Sequence, residues 1–234
     1  EAPWWEPGTA HGYHTNTYGF LVGELVRRVG GERVEHHFRR AIAGPLGADF
    51  HFWLPPSEDP RVAEFELPGP PASMTAESVP LIIRRAYFNP PGISGIGTVN
   101  TREWRAAVMP STNGHANARA VARIYSALAF GGALDGVRIL EPETLAEATR
   151  EVSSGPDRVL TRPARFGLGF QLPMPERPLG RSPRAFGHFG AGGSLGFADP
   201  DARLAFAYTP NQGEGPRWQN PRNRGLVEAL YACL

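Results

Sequence analysis

Gly187-His188-Phe189-Gly190-Ala191-Gly192-Gly193-Ser194-Leu195-Gly196-Phe197, followed within a few residues by Arg203-Leu204-Ala205-Phe206-Ala207-Tyr208, decides how this chain folds. Phe186 to Phe197 and Ala202 to Thr209 read as two strands, turned by Asp199-Pro200-Asp201. Upstream, Phe166, Leu168, Phe170 and Leu172 alternate with other residues, predicting one more strand with a single buried face.

Earlier still, the period lengthens to that of helices. Leu21, Val22, Leu25, Val26 and Val29 share helical spacing from Tyr18 onward, and Gly30-Gly31 supplies the stop. A second helix is expected over Val34 to Ile42, ending at Gly44-Pro45. Pro55 to Pro91 is a proline-rich excursion with one helix near Ser78 to Ala86, long enough to act as a lid. Asn117 caps a third helix containing Val121, Ile124, Tyr125 and Leu128, which Gly131-Gly132 ends. Asp135-Gly136 marks a turn, Pro142 starts a short helix, and Pro221 opens a last one with Leu226, Val227 and Leu230 on one side. Helices first, then antiparallel strands, then a closing helix: the order is that of an α+β fold. The helical part occupies residues 1–150, and the strands with the closing helix occupy 160–234.

Within the opening stretch, Gly192-Gly193-Ser194-Leu195-Gly196 matches the G-x-S-x-G nucleophile elbow. That device needs a strand–turn–helix setting and, later in the chain, an acid and then a histidine. Here strand-like sequence follows the serine. Asp199 or Asp201 could supply the acid, but no histidine follows His188. Ser194 is therefore expected to be a decoy, its glycines serving close backbone approach.

Composition excludes several classes. The chain is 41% hydrophobic and 20% charged, with a net charge of +1, which gives no electrostatic case for nucleic acid or an anionic membrane as partner. The pairs Arg27-Arg28, Arg39-Arg40 and Arg84-Arg85 read as solvated helix faces. No apolar run approaches the ~20 residues that span a bilayer, and no signal peptide is visible. No phosphate-cradling glycine motif calls for a nucleotide, and no cofactor is expected. The single Cys233 fits a reducing compartment such as the cytoplasm, and reads as a small packed residue of the last helix. The start, Glu1-Ala2-Pro3-Trp4-Trp5, resembles the interior of a longer protein whose missing partner covers two tryptophans.

All 24 basic residues are arginine; there is no lysine. The zero suggests a coding bias toward arginine, as in a GC-rich genome. Arginine stays protonated, so it cannot act as a base or Schiff-base amine, and a catalytic lysine would have to come from elsewhere.

Two segments carry candidate chemistry. His11-Gly12-Tyr13-His14-Thr15 lies just before the first helix, and Gly187-His188-Phe189-Gly190-Ala191 lies on a strand. A tyrosine moves a proton if neighbouring cations or donors hold it, and His188 is such a neighbour. Small residues after His188 would let a backbone N–H reach an oxyanion. A metal site built on His11, His14 and His36-His37 is the competing arrangement, though no H-E-x-x-H accompanies them.

These segments resemble the serine β-lactamase-like group: class C β-lactamases, penicillin-binding proteins and family VIII carboxylesterases. Gly12-Tyr13-His14 with Thr17 to Val29 is similar to its tyrosine motif and following helix. Ala43-Gly44-Pro45-Leu46-Gly47 is similar to its recurrent PLG segment, and Asn113-Gly114-His115 through Phe130 to its esterase branch. Gly187 to Phe197 resembles the strand of the third motif, and esterase members also carry a decoy G-x-S-x-G.

The resemblance implies that residues 1–234 form the C-terminal portion of one β-lactamase-like catalytic domain. It implies that Tyr13 helps move the proton of a nucleophilic serine. His188 and Gly190 would occupy the K-T-G positions, with the Ala191 N–H as half of the oxyanion hole. Thr15 stands where the lactamases usually have asparagine, and Asn16 comes one place late. The first motif, S-x-x-K, cannot exist in a lysine-free chain, so an N-terminal segment or partner chain is expected to supply it. The implied activity is hydrolysis of a small ester, amide or lactam through an acyl-enzyme, with this chain inactive by itself. The histidine in the third motif favours an ester or amide over a lactam. A binding protein that kept the fold and lost the first motif is the alternative. Trp4, Trp5, Phe52 and Trp53 are candidate walls of an acyl pocket.

Overall fold

The computed structural model describes residues 2–69, 79–93, 97–214 and 220–234. Helix α1 spans Thr17–Gly30, and Gly31, at φ 73°, returns its N–H to Arg27 O. Helix α2, Val34–Phe38, runs directly into a π-helical turn, Arg39–Ala43. The sequence reads there as one regular helix, but the Gly44 N–H reaches back five residues to Arg39 O. The widened turn buries Leu46 and leaves Gly47 left-handed at φ 61°, which accounts for the Pro-Leu-Gly segment.

Strand β1, Phe50–His51, pairs with β2, His115–Ala116. Between them lie a 3₁₀ turn at Pro56–Arg61, α3 (Leu81–Tyr87) and α4 (Arg102–Ala106). The expected helix at Ser78–Ala86 corresponds to α3, and Ser78 itself lies outside the described residues. Helix α5, Ala118–Ala129, starts where the Asn117 carboxamide oxygen accepts the Ala120 N–H. Strands β3 (Ala133–Leu134) and β4 (Val137–Arg138) form a hairpin about Asp135 and Gly136, both at positive φ, the geometry of a two-residue primed turn. Helix α6, Pro142–Thr149, follows.

The main sheet corrects two expectations. Phe166 to Leu172 is not one strand. The strands are β5 (Ser153–Asp157) and β6 (Arg162–Phe166), after which the chain bends through Gly167–Gly169 and rejoins the sheet at Gln171. Phe186 to Phe197 is likewise a hairpin of two strands, β7 (Phe186–Phe189) and β8 (Leu195–Asp199), before β9 (Leu204–Tyr208). Gln171 exchanges backbone hydrogen bonds with Gly187, joining β6 to β7. Helix α7, Pro221–Ala232, closes the chain.

Strand β8 is the centre of the packing and is buried along its whole length. Its side chains alternate between faces. Leu195 and Phe197 enter a cluster with Phe189, Leu179 and Tyr231 of α7. Ala198 joins the opposite cluster with Leu128 and Ala129 of α5. Gly196 faces α5 as well, and a Cβ there would lie 2.5 Å from the Tyr125 ring. The last glycine of the G-x-S-x-G segment is thus a packing glycine.

Two side chains near the C-terminus depart from expectation. Leu226 faces outward while Val227 and Tyr231 meet the core, and Cys233 is exposed. Along α1 the apolar stripe is uncovered: Leu21, Leu25 and Val29 are 64%, 60% and 82% exposed. The opposite side of that helix packs closely, with Gly19 against Ser111 and Gly23 against Val34.

Candidate active site

The fold brings Tyr13 and His188 together. Tyr13 Oη lies 3.4 Å from His188 Nε2, across 175 residues of sequence. The tyrosine ring stacks on Phe166 of β6 at 6.1 Å between centroids. Its backbone N–H donates to the buried Asp157 Oδ1 at 3.1 Å, which also accepts from Val159 and Leu160 at 2.8 and 2.7 Å. Trp5 closes over the neighbouring Gly12, where any Cβ would collide with the indole at 2.5 Å.

The proton arrangement follows from the partners. His188 Nδ1 sits 2.7 Å from Phe189 O, and a carbonyl oxygen can only accept. The Nδ1 therefore carries hydrogen and donates. Burial pushes the His188 pKa down to about 4, so the ring is neutral near pH 7 and Nε2 is an acceptor. Tyr13 then donates its hydroxyl hydrogen to Nε2. The tyrosine is itself held protonated: burial raises its pKa, with Tyr87 and Asp157 adding to the effect, while the Arg162 guanidinium opposes it. Both terminal nitrogens of Arg162 are shielded from solvent, and burial lowers its own pKa. The cation acting on Tyr13 is Arg162 and not the expected His188, which is a neutral hydrogen-bond partner.

Beyond His188 the chain turns through a three-residue loop. Gly190 N–H donates to Ser194 O at 2.8 Å, and Gly193 N–H to Gly190 O at 3.0 Å, with Gly193 at φ 95°. A type I turn closed by a left-handed glycine makes this hairpin. The Gly190 amide is therefore engaged within the turn. Ala191, at its tip, is exposed, and among the described residues nothing accepts its N–H.

Ser194 opens a strand, not a helix, and its Oγ rests against Gly190. The two acids considered for it are used elsewhere. Asp199 accepts from Tyr231 Oη and from the backbone of Ser182, Asp201 and Ala202, and Asp201 pairs with Arg184 and Ser182.

The other candidates also have separate duties. His11 Nδ1 meets Ser153 Oγ at 2.6 Å, His14 Nδ1 meets Gly12 O at 2.7 Å, and His37 contacts Glu32. Among the described residues no three His, Cys, Asp or Glu side chains converge as a metal site. Asn16 donates to Tyr87 O at 3.2 Å and so ties the start of α1 to α3. Phe52 packs among Phe38 and Phe50. Trp4 instead lines a groove of about 700 Å³ with Leu81, Arg84, Arg85 and Phe88. No helix among the described residues is long and apolar enough to cross a membrane.

Four residues of this neighbourhood escape a reading of the sequence: Asp157, Arg162, Gln171 and Asn223. Asp157 and Arg162 meet Tyr13 only because β5 and β6 pair, Asp157 opposite Arg162. Asn220-Pro221-Arg222-Asn223 did carry a usable local signal, the spacing of a capping box around an N1 proline.

Residues 1–230 match the family model Beta-lactamase. The chain belongs to the beta-lactamase family. It is 37% identical over 212 residues to the esterase/beta-lactamase LipL of Mycobacterium tuberculosis (strain ATCC 25618 / H37Rv), covering 86% of this chain and 48% of that protein. A family VIII carboxylesterase structure superposes with a TM-score of 0.89 at 41% identity, over all of this chain and 61% of the other. A penicillin-binding protein homologue from Caulobacter crescentus gives a TM-score of 0.86 at 39% identity, over all of this chain and 62% of that one. The chain therefore spans about half the length of the curated relative and three-fifths of these structures. The β-lactamase-like α+β fold is established by these likenesses.

Proposed function

We propose that this chain carries the proton-relay and oxyanion half of a serine acyl hydrolase acting on small esters or amides, with the nucleophilic serine and its lysine on an S-x-x-K segment outside these residues. The observation that carries the reading is the Tyr13–His188 contact, with the tyrosine hydrogen committed to Nε2. As the serine oxygen attacks the carbonyl carbon, its proton passes to the Tyr13 oxygen while the tyrosine hydrogen shifts toward His188 Nε2. Charge developing on the carbonyl oxygen meets the Ala191 N–H. The leaving alcohol or amine takes the proton on its departure, and water repeats the sequence to release the acid. The uncovered apolar stripe of α1 supports a missing segment packed there, since so large an exposed apolar face marks an interaction surface.

Intact mass spectrometry after treatment with a fluorophosphonate serine probe tests this. The chain alone should gain no mass, and the full-length protein, or the chain with its partner, should gain one label on the serine of S-x-x-K. An unlabelled full-length protein, or a label on this chain alone, overturns the reading.

A further inference from the structure

The cap of α7 reaches the loop that turns Ala191. Asn220 and Asn223 are 1% and 0% exposed. Each side-chain oxygen accepts the other's backbone N–H, at 2.9 Å from Asn223 N and 3.2 Å from Asn220 N. A helix cap needs nothing more from the third residue than an acceptor oxygen. The Asn223 amide has a second use: its Nδ2 donates to Gly193 O at 3.1 Å. Asn220 Nδ2 packs onto the same glycine, so closely that a Cβ on Gly193 would lie 2.1 Å from it.

The neighbouring glycine is held too. Gly192 O accepts the Glu214 N–H at 3.2 Å, and the Phe65 ring lies on the Gly192 Cα. Phe65 is fixed in turn by Asn100, whose Oδ1 accepts the Phe65 N–H at 2.8 Å. Both loop glycines are thus pinned through their carbonyls, and Ala191, exposed at the tip, is left with no acceptor for its N–H among the described residues.

We propose that Asn223 is a positioning residue for the oxyanion donor: by holding Gly193 O it sets the direction of the Ala191 N–H. The proposal rests on the acyl-hydrolase reading above. It matters because a donor must lie within about 2.7–3.1 Å of the oxyanion, and a misplacement near 1 Å costs about a hundredfold.

Asn223→Asp in the full-length protein is the test. Aspartate keeps the oxygen that accepts the Asn220 N–H, and a negative charge suits a helix N-terminus. It removes the donor to Gly193 O. The expected result is a kcat lower by roughly tenfold to a hundredfold with KM nearly unchanged. Hydrogen exchange should speed up in the peptide covering residues 189–195 and stay slow in the core strands. Turnover within about twofold of the parent overturns the proposal, as does exchange that rises equally throughout the protein, which would make Asn223 a fold residue only. Where full-length protein takes no serine label, the function reading has failed separately, and loop exchange alone decides whether Asn223 holds the hairpin.

Discussion

The Tyr13 hydroxyl and the His188 imidazole face each other at 3.4 Å, and the His188 Nδ1–H bond to Phe189 O sets the direction in which the hydrogen between them points. Tyr13→Phe keeps the stacking on Phe166 and removes only that hydroxyl. In the full-length protein its acylation rate should fall by ~10²–10⁴, the usual worth of a positioned acid–base group, with KM little changed. Stopped-flow acylation with a chromogenic ester measures this.

His188 also sets a pH dependence. Its folded pKa, about 4, lies below the ordinary value near 6.5. Between those values the unfolded chain binds a proton that the folded chain refuses, so stability rises with pH across pH 4 to 6.5 and is level above it. The full effect is at most roughly 3 kcal/mol. His188→Phe should flatten this part of a urea-denaturation profile taken at successive pH values.

Ser194 is expected to be chemically silent. Peptide mapping of fluorophosphonate-treated full-length protein should find no label between Gly187 and Leu204, and a label at Ser194 would reinstate the elbow. Gly196→Ala should instead destabilise by about 1–3 kcal/mol, because the new methyl meets the Tyr125 ring, and a lower denaturation midpoint would record it.

Asp199 works for the fold. Its buried carboxylate gathers the β8–β9 turn and the Tyr231 hydroxyl of α7. Tyr231→Phe removes one donor from a buried acceptor and should cost about 1–3 kcal/mol by chemical denaturation.

The α1 stripe predicts how the isolated chain behaves. Produced alone it should self-associate in sedimentation velocity, and Leu21→Glu with Leu25→Glu should reduce that association. The same pair of changes should destabilise the full-length protein, where the stripe is expected to be covered. Equal stability of the full-length variant would show that α1 faces solvent there too.

Much of the fold was legible one turn at a time. Gly30-Gly31, the Asn117 cap, Asp135-Gly136 and the Pro142 and Pro221 helix starts each act through local backbone geometry, and each forms where its residues predict. The rejection of Ser194 was legible as well, because a missing downstream histidine needs no structure to notice.

Other features depended on contacts between distant segments. Ser153-Ser154-Gly155-Pro156-Asp157 has little strand character and forms β5 because β6 pairs with it. Phe166 to Leu172 alternates like a strand yet bends, since Gly167 must pass against the backbone of Ala148 and Arg150. Chain order and residue type determined that a tyrosine and a histidine with glycines after it were the groups to watch. Only the tertiary structure decided that His188 is half-buried and neutral, that Arg162 is the cation beside Tyr13, and that the Asn223 amide reaches Gly193. Desolvation, charge proximity and loop position are properties of the space around a residue, which the neighbours in sequence do not fill.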